Sequence, residues 1–141
     1  RRAHRCPRGA TRRCAPALTS RVMTILALMV AGGFGALARL ELGGWVQRRA
    51  ASERPWGTFV VNVLGAAALG AVVAGGDLGL APAVRDVVGR GFLGGFTTFS
   101  TWMVAGATLV EERAWRGVAV HVGAQAAIGV AVAAGVRALV L

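Results

Sequence analysis

Past Met23 the chain has no cysteine, and its four long apolar stretches contain no aspartate, glutamate or lysine. Both cysteines, Cys6 and Cys14, precede that point, so the rest of the chain has neither a disulfide framework nor a thiolate metal site. Without carboxylates in the apolar stretches there is no acid–base pair and no nucleophile–base pair of recognisable spacing. His121 is the sole imidazole after Met23, and a lone span histidine more often packs than catalyses. Enzymatic chemistry has almost nothing to work with. Proton-coupled transport also loses support, because it wants an ionisable group inside the membrane.

Charge is scarce as well. Charged residues make up 16% of the 141, apolar residues 55%, and the mean hydropathy is +0.60. A soluble domain carries roughly a quarter charged residues. The uncharged windows run Val22–Ala38, Gly57–Gly75, Gly91–Val110 and Gly117–Val136. A helix needs about 20 apolar residues to cross a hydrocarbon core of roughly 30 Å. The pattern therefore predicts an all-α membrane protein with four transmembrane helices. The first window is short, and Arg39 is expected to snorkel from its end to the headgroups.

The formal net charge of +10 is concentrated at one end. Seven arginines and no acid precede Met23, while nine arginines and six acids follow it. The body offers no basic face broad enough for a phosphate backbone, so nucleic acid is not an expected partner. Residues 1–22 read as a basic leader that is either disordered or translated upstream of a start at Met23. A cytoplasmic arm and the start of a signal sequence are the other readings, although no A-x-A cleavage site follows the first window. Residues 23–141 form the body.

Connections between the windows carry turn and interface signals. Glu41 to Trp56 reads as a polar connection, with Trp45 and Trp56 suited to headgroup depth. Gly75-Gly76-Asp77 is expected to break the chain after the second span, and Pro82 to open the third helical stretch. Glu111 to Arg116 separates the third and fourth. Counted from Met23, three arginines lie on the side of the termini and six on the other. The leader reverses that balance, so orientation stays open. Many of the 21 glycines fall inside the spans. In water each costs about 1 kcal/mol against alanine, but in a bilayer small residues let helices approach, as at Gly91-x-x-x-Gly95 and Ala66-x-x-x-Gly70. Gly33-x-Gly35-x-x-Ala38 matches a dinucleotide fingerprint, yet it lacks the strand that motif requires.

What remains for chemistry is a neutral polar set. Asn62 is the one amide of the second window, and the third contains Gly94-Gly95-Phe96-Thr97-Thr98-Phe99-Ser100-Thr101-Trp102. Paired glycines followed by hydroxyl residues suggest an interrupted helix, tolerated at membrane depth only where protein or water satisfies the backbone. Freed carbonyls there suit a cation, while amides and hydroxyls suit an anion. A kinked helix with Thr and Ser bonding back to their own turn is the plainer reading.

Three segments then carry a resemblance. Gly32-Gly33-Phe34-Gly35-Ala36-Leu37-Ala38-Arg39 resembles the first-helix motif of the CrcB/Fluc fluoride channels. Pro55-Trp56-Gly57-Thr58-Phe59-Val60-Val61-Asn62 is similar to the start of their second helix. Gly91-Phe92-Leu93-Gly94-Gly95-Phe96-Thr97-Thr98-Phe99-Ser100-Thr101 is similar to their third-helix break. The order is that of the family, and the resemblance spans essentially Met23 to Leu141.

The resemblance implies a passive channel in the cell membrane that exports fluoride and lowers its toxicity. It implies two four-helix subunits, each with a broken third helix, packed as an antiparallel (dual-topology) dimer of identical or homologous chains. A structural sodium ion is implied at their interface, held by the backbone carbonyls of Gly94 and Thr97. Asn62 matches the pore amide and Phe99 the first pore phenylalanine, while Ser100 and Thr101 fall on the polar track. Trp102 stands where a second phenylalanine is usual, and His121 and Gln125 where Tyr and Ser are common. A small multidrug-type transporter and a non-transporting membrane scaffold are the competing readings; the first lacks its first-helix carboxylate, since Glu41 lies beyond the window.

Overall fold

The computed structural model describes residues 16–51 and 54–141, and every regular element among them is helical. Most of the basic leader lies outside the described residues. Five helices follow one another. They are α1 (Pro16–Ala50), α2 (Trp56–Asp77), α3 (82–96), α4 (Ser100–Glu111) and α5 (Trp115–Val140). Helix α3 opens at Pro82, widens into π-type turns over Asp86–Leu93 and finishes as Gly94–Phe96. Helix α5 has a similar wide stretch at Ala119–Ala124.

Three of these are long and apolar enough to span a bilayer: Arg21–Ala50, Trp56–Asp77 and Trp115–Val140. The fourth expected span, Gly91–Val110, is divided between α3 and α4. Only 6% of the apolar windows of α1 and α5 is buried, against 22% of that of α2. Helix α2 is thus the central one, with α1 and α5 on either side.

Two expected boundaries are wrong. Helix α1 does not end at Arg39; it runs unbroken from Pro16 through Glu41 to Ala50. No proline interrupts that stretch, and Arg48 and Arg49 in its last turn suit the negative end of the helix dipole. Arg49 also sits 5.2 Å above the Trp45 ring. Ala51, at φ 44°, turns the chain out. Gln47 then receives the start of α2: its Oε1 accepts from Gly57 N at 3.1 Å and its Nε2 donates to the Arg54 carbonyl at 2.9 Å. The second error concerns Gly75 and Gly76, which remain helical. The break comes at Gly79, whose φ of +91° suits a residue without Cβ. Leu80 N donates to Gly75 O at 2.7 Å and Gly79 N to Gly76 O at 3.2 Å, closing the end of α2.

Close backbone contact holds the bundle. A Cβ on Gly95 or Gly91 would strike α1, at the Gly32 carbonyl or at Ala31 and Leu28. The small-residue spacing of that segment is therefore a packing face. Gly70 does the same for α2 against Ala133 of α5. Arg137 and Asp77 pair at 3.1 Å where those two helices end, so α2 and α5 run in the same direction. Val61, Leu93 and Phe96 form the small core between α2 and α3.

Candidate functional site

Helix α3 stops beside the middle of α2. Its last turn is closed by Thr97, whose N and Oγ1 both donate to Leu93 O, at 2.9 and 3.0 Å. The backbone then becomes extended at Thr97 (φ −78°, ψ 157°) and re-enters a helix at Ser100. Thr98 is the hinge of this passage, only 7% exposed. Both its main-chain groups are taken by Asn62: Nδ2 donates to Thr98 O, and Oδ1 accepts from Thr98 N, each at 2.9 Å.

This pairing has a cost for the helix. In a continuous helix Thr98 N would bond the Gly94 carbonyl four residues back. Likewise Thr101 N would bond the Thr97 carbonyl, but it donates to Thr98 Oγ1 at 3.3 Å. Gly94 and Thr97 are thereby left without the amides that normally cover their carbonyls. Gly94 is also exposed, with open space where a Cβ would be.

The Thr98 hydroxyl organises the start of α4. It caps the helix through Thr101 N, donates to Thr101 Oγ1 at 3.1 Å and lies 3.3 Å from Ser100 Oγ. The three hydroxyls make a short polar row at the break. A groove of about 460 Å³ opens beside them, lined by Arg39, Gln47, Thr58, Val61, Thr98 and Thr101 among others. Arg39 Nε is buried with no partner among the described residues. Arg39 is thus a groove residue and not a snorkelling end group, because α1 continues for three further turns.

Phe99 is not among the groove-lining residues and is 69% exposed. Its ring meets that of Trp102 edge to face, with centroids 5.6 Å apart and planes at 82°. Trp102 Nε1 donates to the His121 carbonyl of α5 at 3.2 Å. Asn62, Thr97, Ser100 and Thr101 are therefore brought together at the break, while Phe99 and Trp102 form a separate aromatic pair toward α5. Gly94 lies one turn before the break. The sequence reading did not assign a role to Thr98, which organises this region, or to Arg39 as a residue of the groove wall. A threonine three residues before Thr101 has cap spacing, a signal present in the sequence.

Comparison with known proteins identifies the family. A fluoride-specific ion channel FluC of Nitratidesulfovibrio vulgaris is 44% identical over 109 residues, covering 76% of this chain and 88% of that protein. A fluoride-specific ion channel FluC 2 of Cutibacterium acnes is 40% identical over 121 residues, covering 84% and 94%. The profile of the CrcB-like proteins (Camphor Resistance, CrcB) matches residues 26–136, which is most of the chain and includes every residue of the break. On both grounds this multi-pass membrane protein belongs to the CrcB family.

Proposed function

We propose that the chain is a subunit of a passive fluoride-selective channel that lets fluoride leave the cytoplasm and so lowers its toxicity. The observation that carries this is the clamped break, where neutral donors gather with no carboxylate beside them. Fluoride is small and strongly hydrated, so it enters an apolar region only if lost waters are replaced. Ser100 and Thr101 offer hydroxyls, and Asn62 retains one amide N–H beyond the one given to Thr98. None of these is a fixed cation, so the ion is held weakly enough to leave. The positive edge of the Phe99 ring, and that of Trp102 in place of a second phenylalanine, suit an anion that has shed part of its shell. No covalent step occurs, and flux follows the gradient.

Two copies in antiparallel orientation complete the reading, with α3 and α4 acting as one broken span. The exposure of Phe99, Val104 and Leu64 supports a partner subunit over this face, identical or homologous. The uncovered carbonyls of Gly94 and Thr97 are hard oxygen donors of the kind that suits sodium, and they fit a structural ion at that interface. Such an ion supplies cross-linking charge between subunits and takes no part in conduction.

The test is fluoride efflux from liposomes containing the purified chain alone, read with an electrode, with chloride efflux measured in parallel. Rapid fluoride release with chloride retained is the expected result. Equal release of both ions rules out the selective channel.

A further inference from the structure

The charged groups divide unevenly between the two ends of the bundle. Where α2 and α5 end, Asp77 pairs with Arg137, and near the start of α3 Asp86 pairs with Arg90. The opposite end, where α1 stops and α2 and α5 begin, carries Arg48, Arg49, Arg54, Arg113 and Arg116. No ion pair joins Arg48 or Arg49 to an acid among the described residues. Three of the four tryptophans, Trp45, Trp56 and Trp115, are also at this end, and all three are exposed. Indole rings so placed sit at headgroup depth.

Backbone contact fixes the depth of the end of α1. A Cβ on Gly57, the first residue of the second apolar window, would strike the Gly43 carbonyl, and Gln47 holds the Gly57 amide. Gly43 is therefore level with the edge of the hydrocarbon core. At 1.5 Å per residue, Arg48 and Arg49 leave the helix about 8–9 Å beyond that edge, while a headgroup layer is roughly 5–8 Å deep. Both side chains turn back toward it. Arg48 Nη1 lies 3.1 Å from where a Cβ on Gly44 would stand, and the Arg49 guanidinium lies 5.2 Å above the Trp45 ring. Two guanidinium groups thus lie over neighbouring residues, Gly44 and Trp45, at headgroup depth. Like charges so placed repel unless an anion sits between them.

We propose that the end of α1 is a binding site for the phosphate of an acidic phospholipid, with Arg48 and Arg49 as donors and Trp45 as the platform that holds Arg49 in place. A guanidinium stacked on an indole keeps its in-plane N–H groups free, and these match phosphate oxygens two at a time. The exposed stripe of α1 that leads up to the site includes Phe34, Leu37 and Trp45 and suits the acyl chains of the same molecule. Glu41 lies on this stripe one turn before Trp45 and opposes the site, so the two arginines act against one carboxylate. A zwitterionic lipid brings a cationic group that competes with the arginines, whereas an acidic lipid brings none. The site does not depend on what the protein conducts.

Native mass spectrometry of the purified full chain tests this. The protein is released from micelles holding equal amounts of phosphatidylglycerol and phosphatidylcholine with the same acyl chains, and the two lipid adducts are compared. Each arginine at a membrane surface contributes about fivefold, so wild type, less the offset from Glu41, is expected to favour phosphatidylglycerol about tenfold. The double variant Arg48→Gln with Arg49→Gln brings the ratio to about one, Glu41→Gln raises it, and Arg90→Gln at the other end of the bundle leaves it unchanged. Glutamine is close to arginine in helix propensity, and neither arginine has an ion pair to lose, so these variants are expected to purify like wild type. An excess of inorganic phosphate at constant ionic strength separates the lipid from free phosphate as the ligand, and the lipid adduct is expected to persist. A wild-type ratio of about one, an undiminished ratio in the double variant, an equal loss in Arg90→Gln, or displacement of the lipid by phosphate overturns the proposal.

Discussion

Asn62 holds Thr98 by both of its main-chain groups, donating to the carbonyl and accepting from the amide at 2.9 Å each. One side chain of α2 thereby stands in for the helical partners that Thr98 gave up, and the interruption is satisfied from inside the protein. In the proposed ion route, the amide that would face the ion and the amide that shapes the break are the same residue.

That double duty makes two substitutions distinguishable. Asn62→Ala leaves both Thr98 groups buried and unpaired, at about 1–3 kcal/mol each, so thermal stability and fluoride flux are both expected to fall. Asn62→Asp keeps an acceptor for Thr98 N but loses the donor to Thr98 O and adds a negative charge. Its flux is expected to drop about tenfold or more with a smaller stability loss, since like charge repels the permeating anion. Melting curves and efflux rates on the same preparations check this. A stable, freely conducting Asn62→Asp would sink the assigned role.

The contact between Gly95 and Gly32 sets where α3 lies on α1. Alanine at Gly95 pushes a methyl into the Gly32 carbonyl, and backbone cannot move aside as a flexible side chain would. An overpacking cost of about 1–3 kcal/mol is expected. Gly94→Ala has open space and is expected to leave the fold of the subunit unchanged. Comparing the two by thermal unfolding in detergent separates crowding from any general effect of added helix propensity. Equal losses at both positions would contradict the packing account.

Sodium removal tests the two uncovered carbonyls. With sodium replaced by a large organic cation, subunit association and fluoride flux are both expected to weaken and to recover when sodium returns. Thr97→Ser keeps the carbonyl and the hydroxyl bond to Leu93 and should respond like wild type. Light scattering of the detergent-solubilised protein, with and without sodium, gives the association state. An unchanged state throughout argues that these carbonyls are covered by something other than the ion.

The sequence by itself determined that this is a helical membrane chain, because the scarcity of charge over whole windows leaves lipid as the only sensible solvent. It also placed Asn62 and the 94–102 segment as the polar material of the protein, since little else in the spans can hydrogen-bond. Local rules located Pro82 at a helix start and the turn before Trp115. They misjudged the end of α1, because a polar stretch after an apolar one resembles a loop until packing shows that it stays wound. They misplaced the end of α2 as well, choosing a glycine pair where a single left-handed glycine two residues beyond Asp77 does the work. Only the tertiary structure decided that Asn62 meets Thr98 across 36 positions, that Arg39 lines a groove, and that His121 Nε2 and the Gln125 amide have no hydrogen-bond partner among the described residues. Periodicity assigns a residue to a helix face, but which donors find acceptors depends on how closely the helices approach. Here the glycines at Gly32, Gly70 and Gly95 set that distance through backbone contacts that residue spacing alone does not encode.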